Sequence, residues 1–118
     1  MNYQLEHVAI YTKDIGASIK FYEKFFGGQP TPIRKGSAGY GFCFVRIAGS
    51  PSIQLMESSG DVGVHHYGYV TDDIEQAAKE FREKGAEILR ENRDPSGKLT
   101  TIFVKDPNGL EMEIRTER

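Results

Sequence analysis

Two histidines, a glutamine and a glutamate stand out by type and spacing. His7 and His66 lie 59 residues apart, and so do Gln54 and Glu113. Two imidazoles, an amide oxygen and a carboxylate make a mixed N/O donor set. Such a set suits one divalent ion (Mn, Fe, Co, Ni or Zn) and leaves one or two positions for water or substrate. The same displacement carries Thr12 onto Thr71, Asp14 onto Asp73, Ile15 onto Ile74, Lys20 onto Lys79 and Phe44-Val45 onto Phe103-Val104. The chain has 118 residues, twice that displacement. An internal duplication is implied, and it pairs the four donors.

The elements that must position these donors follow from periodicity. Leu5 to Tyr11 reads as a strand with His7, Ala9 and Tyr11 on one face. Asp14 is an N-cap, since its carboxylate can accept bonds from the free N–H groups of the following turn. Ile15, Ile19, Tyr22 and Phe26 recur at helical spacing with Gly27-Gly28 as the stop. Pro30 to Gly39 reads as loop, Tyr40 to Ile47 as a strand, Ala48 to Pro51 as a turn and Ser52 to Glu57 as a strand. A polar linker, Ser58 to Gly63, precedes the restart. His66 to Thr71 is a strand, and Asp73 caps a helix whose Ile74, Ala77, Ala78 and Phe81 face inward and which closes at Gly85. Ala86 to Arg90 is the next strand and Asn92 to Lys98 a turn region. Leu99 to Lys105, the turn Asp106-Pro107-Asn108-Gly109 and the strand Leu110 to Arg115 finish the chain. Each half is βαβββ. The fold class is α+β, two tandem modules forming a curved, cup-like sheet with helices on the outer face. The 118 residues are expected to form a single domain, with module one at 1–58 and module two at 64–118.

Strand alternation decides which side chains meet. Leu110, Met112 and Ile114 share one face, leaving Glu111 and Glu113 on the other, and Ile53 and Leu55 leave Gln54 and Met56 opposite. With helices on the apolar faces, His7, Gln54, His66 and Glu113 share the concave side. His65 points away from His66 and is read as structural or surface. Glu57 and Glu111 would replace the acidic donors if the register slipped by one residue.

Composition narrows the function classes. Hydrophobic content of 38%, charged content of 27% and a net charge of -2 describe an ordinary globular protein. Without a basic run there is no electrostatic case for nucleic acid as a partner. There is no membrane-spanning or signal-like apolar stretch, so the expected setting is cytoplasmic. The single cysteine, Cys43, lies in an apolar run and reads as a small core residue.

His7-Val8-Ala9-Ile10 with Asp14-Ile15, Phe21-Tyr22, Ile53-Gln54-Leu55-Met56, His65-His66 with Asp72-Asp73-Ile74, and Asp106-Pro107-Asn108-Gly109 followed by Glu113 make a combination that covers nearly the whole chain. It resembles the vicinal oxygen chelate superfamily, which includes glyoxalase I, methylmalonyl-CoA epimerase, fosfomycin-modifying enzymes and bleomycin-resistance proteins. The resemblance implies metal ligands at His7, Gln54, His66 and Glu113. It also implies a substrate chelating through vicinal oxygens, with the metal as Lewis acid and a proton shifted by way of an enediolate. Glu113 is the expected catalytic base, because an amide such as Gln54 cannot serve as one at neutral pH. The expected function is a glyoxalase I-like (lactoylglutathione lyase-like) enzyme. The His-Gln-His-Glu set is similar to that of the epimerase, but Tyr40 to Val45 contains no acid to match the epimerase's additional base. Epimerase-like isomerisation is therefore the alternative. A sequestering protein of the bleomycin-resistance type would instead line the cup with Tyr11, Tyr40, Phe42, Phe44 and Tyr67. A fosfomycin-type transferase would need only three ligands and leave Gln54 idle. A homodimer and a small-molecule substrate are the expected partners. Arg34, Lys35, Arg93 and Lys98 are loop cations that could bracket the cup.

Overall fold

The computed structural model describes residues 2–116. It divides into two compact units, one of residues 7–65 and the other of residue 66 onward with the residues up to Glu6. In chain order, module one supplies β1 (Tyr3–Thr12), α1 (Ile15–Phe26), β2 (Gln29–Pro30), β3 (Arg34–Lys35), β4 (Gly41–Arg46) and β5 (Ser52–Glu57). Module two supplies β6 (Gly63–Thr71), α2 (Ile74–Glu83), β7 (Ile88–Arg93), β8 (Leu99–Lys105) and β9 (Glu111–Thr116). The class is α+β with mixed parallel and antiparallel pairing. The strands run β2-β4-β5-β1, with β3 beside β4, and β6-β9-β8-β7.

The duplication extends to the hydrogen-bond register. β1 and β5 pair in parallel with His7 opposite Ser52, Ala9 opposite Gln54 and Thr12 opposite Glu57. β6 and β9 pair in parallel with His66 opposite Glu111, Gly68 opposite Glu113 and Thr71 opposite Thr116. In the antiparallel ladders, Cys43 faces Leu55 and Phe44 faces Gln54, while Ile102 faces Ile114 and Phe103 faces Glu113. Every β1–β5 pair and every β4–β5 pair maps onto a pair of module two by the same displacement of 59. A one-residue slip would turn each apolar set out of its core, so the hydrophobic pattern holds both registers.

Each helix starts in the same way. The Asp14 carboxylate accepts from the Ala17 N–H at 3.0 Å, and that of Asp73 accepts from the Gln76 N–H at 3.0 Å. Helix α1 ends at Gly27, whose φ of 63° is a left-handed conformation that favours glycine. Gly28 follows where a Cβ would stand 2.6 Å from a Val45 methyl, so the close passage of the chain under β4 requires glycine. Beneath α1, Ile15, Ile19 and Tyr22 pack on buried Cys43, Val45 and Leu55. Beneath α2, Ile74 and Ala78 pack with Leu99, Ile102, Val104 and Ile114, joined by Tyr69, Phe81 and Met112. Among the described residues, no helix is long and apolar enough to cross a membrane.

Several boundaries differ from expectation. The span Pro30 to Gly39 is not all loop, since Gln29–Pro30 and Arg34–Lys35 each pair with β4. Prolines 30 and 32 cannot donate to a ladder, which keeps this edge in two short pieces. Thr31 bridges them, its N–H donating to Phe44 O at 2.8 Å and its hydroxyl accepting from the Phe44 N–H at 2.9 Å. The expected strand Ala86 to Arg90 begins at Ile88 and runs to Arg93, because the Gly85 and Ala86 N–H groups are used to close α2 on Arg82 O and Phe81 O. β6 begins at Gly63 rather than His66. Phe26, which continues the helical spacing of Ile15, Ile19 and Tyr22, is exposed and joins Phe21 and Phe25 in an aromatic ridge on the outside of α1.

Candidate metal centre

Tyr69 packs with the helix-side cluster, so His66 and Gly68 lie on the opposite face of β6. On β9, Met112 and Ile114 pack toward α2, which puts Glu111, Glu113 and Arg115 on that same opposite face. The ladder sets Glu113 across from Gly68. Gly68 has no side chain, so the diagonal from Glu113 to His66 is open. The two meet there, with His66 Nε2 3.6 Å from Glu113 Oε2 and both side chains largely withdrawn from water, at 11% and 12% exposed. The other carboxylate oxygen, Oε1, lies 3.5 Å from Arg115 Nη1. Glu113 thus sits between an imidazole and a guanidinium, in a place where few waters compete for it.

The first unit repeats this frame with other chemistry. His7 is buried on β1, its ring edge-on to Phe44 with centroids 5.8 Å apart. Gln54 is half-buried on β5 across from Ala9, the counterpart of Gly68. Gln54 also lines a cavity of about 260 Å³ with Tyr11, Tyr40, Phe42, Met56 and Glu57. Glu57 is turned into this cavity wall, where its Oε1 accepts from the Gly41 N–H at 3.0 Å. His65 stands edge-on against Tyr11, with ring centroids 4.8 Å apart.

The remaining sequence candidates divide by surroundings. Burial pushes the Cys43 thiol up, consistent with a packed and unreactive side chain. Arg34 and Lys35 are exposed on β3 rather than in a loop. Arg93, at the end of β7, donates to Gly97 O at 3.0 Å and approaches Glu91 and Glu75. Lys98 is exposed in the turn that Asp94 organises. Two contacts on the open face of module two were missed from sequence. Arg115 meets Glu113, which alternation could have found from the spacing of two. Arg90 lies over the Phe103 ring at 3.8 Å and bonds Glu111 at 2.5 Å, and only the fold brings those three strands side by side.

Residues 4–114 match the family model of the Glyoxalase/Bleomycin resistance protein/Dioxygenase superfamily. A trivalent organoarsenical cleaving enzyme of Thermomonospora curvata is 33% identical over 91% of this chain and 73% of its own length. Lactoylglutathione lyase GLX1 of Arabidopsis thaliana is 28% identical over 96% of this chain, which spans 44% of that relative. The crystal structure of methylmalonyl-CoA epimerase from Mycobacterium tuberculosis has the same fold, with a TM-score of 0.78 at 18% identity, covering 98% of this chain and 88% of that one. With the duplicated βαβββ register and a family match across almost all its length, the chain belongs to the glyoxalase/bleomycin resistance protein/dioxygenase superfamily.

Proposed function

We propose that this chain is a metal-dependent enzyme of the glyoxalase I (lactoylglutathione lyase) type, in which His7, Gln54, His66 and Glu113 hold one divalent ion and Glu113 moves the proton. The observation that carries the reading is the approach of Glu113 to His66 at 3.6 Å, set against the neutral Gln54 at the matching position of module one. Two donors each about 2.1 Å from one ion at a tetrahedral angle stand roughly 3.4 Å apart, so this pair fits an ion. The N/O chemistry of the set suits Ni, Co, Zn, Mn or Fe. When bound, the ion supplies Lewis acidity that makes the C–H beside a chelated carbonyl more acidic.

The residues themselves account for the choice of reaction. Glu113 takes a proton from one carbon and returns it to its neighbour, which needs a single base on one face. The Gln54 amide holds an oxygen in place without competing for that proton. A methylmalonyl-CoA epimerase-like isomerase is the second reading, favoured by the amide at Gln54. Proton exchange through opposite faces would ask for a second acid besides Glu113. A sequestering role is favoured by the aromatic wall around Gln54, and it has no use for the buried His66–Glu113 pair. The arsenical-cleaving activity of one relative finds little support, because the one thiol that might hold a soft arsenic centre, Cys43, is buried under α1. A homodimer in the cytoplasm belongs to the same reading.

Metal-loaded protein incubated in D₂O with hemithioacetals and with 2-substituted acyl thioesters decides among these. Conversion of the hemithioacetal, with one deuterium exchanged at the adjacent carbon, is the expected result. Deuterium exchange confined to the acyl thioester would transfer the assignment to the epimerase type. Protein that takes up no divalent ion would end the metal reading.

A further inference from the structure

We propose that the cavity of the first unit is a binding site for a small organic cation, an alkyl- or arylammonium. Three aromatic side chains, Tyr11, Tyr40 and Phe42, line it with the thioether of Met56. Among the described residues, Glu57 is the one charged side chain in the lining, and no lysine or arginine contributes to it. Arg34 stands across from Phe42 in the ladder but lies outside the lining. Ring faces carry negative quadrupole charge and attract a cation, more strongly where water is partly displaced. A carboxylate at one edge adds attraction for an ammonium and repels a carboxylate or phosphate.

The position of Glu57 is built into the backbone. Its Oε1 accepts from the Gly41 N–H, while Oε2 has no protein partner among the described residues. A Cβ at residue 41 would fall on Oε1, so glycine is what lets the carboxylate reach this place. One oxygen is therefore fixed and the other is left for a ligand. At about 260 Å³ the cavity is smaller than the roughly 300–1,000 Å³ of sites for drug-sized ligands, so the occupant is small. Gln54 forms part of the wall. On the metal reading above, a substrate chelated beside Gln54 would direct an ammonium-bearing substituent into this space, but the cation site itself requires no metal.

The test is isothermal titration of the full chain after treatment with EDTA, using benzyltrimethylammonium, benzyl alcohol and phenylacetate as probes. The ammonium is expected to bind at least about tenfold more tightly than the alcohol, with phenylacetate weakest. Glu57→Gln keeps an acceptor for the Gly41 N–H and should bring the ammonium down about tenfold, toward the alcohol. Tyr40→Leu, at a half-exposed position, should do the same by removing a ring face while keeping apolar bulk. Equal affinity for the ammonium and the alcohol, preference for phenylacetate, or no binding of the ammonium would each overturn the proposal. So would unchanged affinity in both variants. If Glu57→Gln does not fold, the ranking of the three probes and the Tyr40→Leu result decide the matter. Because the chain is metal-free throughout, failure here leaves the glyoxalase reading standing, and failure of that reading leaves this site untouched.

Discussion

Gln54 and Glu113 occupy the same rung of two ladders that are otherwise interchangeable, and they differ in charge. The contrast spreads along the open face of each strand. Module one presents Ser52, Gln54 and Met56 there, and module two presents Glu111, Glu113 and Arg115. On the helix-facing side the two modules stay alike. Leu55 corresponds to Ile114 and Val45 to Val104, all packed beneath a helix, and Ile15 corresponds to Ile74, each packing from the first turn of its helix. The difference teaches where a duplicated fold has freedom. Close packing under α1 and α2 ties side-chain volume and register together, whereas the opposite face carries little packing constraint and can take on chemistry. The open face of β5 is neutral and that of β9 is charged, with Arg90 laid over Phe103 and bonded to Glu111.

Making the two open faces alike should have the largest effect. Glu113→Gln gives both modules an amide at this rung, and is expected to lower exchange of the substrate C–H by about 10²–10⁴-fold while the fold survives. The check is deuterium incorporation measured by NMR beside a thermal melt. On the proposed reading, the reciprocal Gln54→Glu should keep metal content and retain activity within about tenfold, since Glu113, the proposed base, is untouched. If Gln54→Glu is as damaging as Glu113→Gln, the two positions do not have the separate parts assigned to them.

The helix-facing sides can be compared by truncation. Ile102→Ala removes a branched side chain from the core beneath α2 and should cost about 2–5 kcal/mol. Its counterpart Cys43→Ala deletes only a sulfur and should cost about 1 kcal/mol. Urea titration followed by far-UV circular dichroism separates these, and equal costs would mean that the two cores are not packed alike. Capping is expected to be symmetric. Asp14→Ala and Asp73→Ala should each lose about 1 kcal/mol, because each removes one 3.0 Å bond to a helix N–H.

The smallest expected effect concerns a turn that both modules have, in which Gly36 of module one stands where module two has Asp94, so that only module two has a carboxylate there. The Ser96 hydroxyl, and then the Lys98 N–H, hold the Asp94 carboxyl below the usual aspartate range. A folded-state pKa below the unfolded one contributes stability that is fully present above the unfolded value and is lost as pH falls through the folded value. Melting temperature should therefore drop below about pH 4 slightly more for the native chain than for Asp94→Asn. Identical pH profiles would remove this contribution.

Much of this was legible because it rests on local physics. Asp14 and Asp73 announce helix starts through unpaired N–H groups, and period-two alternation gives Ser52–Glu57 and Leu99–Lys105 with their bounds intact. The side of β9 that carries Glu113 follows from the same alternation. Phe26 was less legible, since helical spacing alone does not say how wide the buried stripe of α1 is. The start of β7 depended on how many N–H groups the end of α2 would use. Glu57 at the cavity wall was unreadable, because alternation places it on the face opposite Gln54 and only the missing side chain at Gly41 leaves room for its carboxylate there.

By itself, the sequence determined the duplication, the α+β modules and the donor types, because periodicity, capping and side-chain chemistry are properties of neighbouring residues. Tertiary structure alone decided that Glu113 would reach His66 over the bare backbone of Gly68, that Arg115 would flank it, and that Glu57 would stand among aromatic rings. Those outcomes depend on which strands lie side by side and on where a missing side chain leaves room, and no spacing along a single strand contains either.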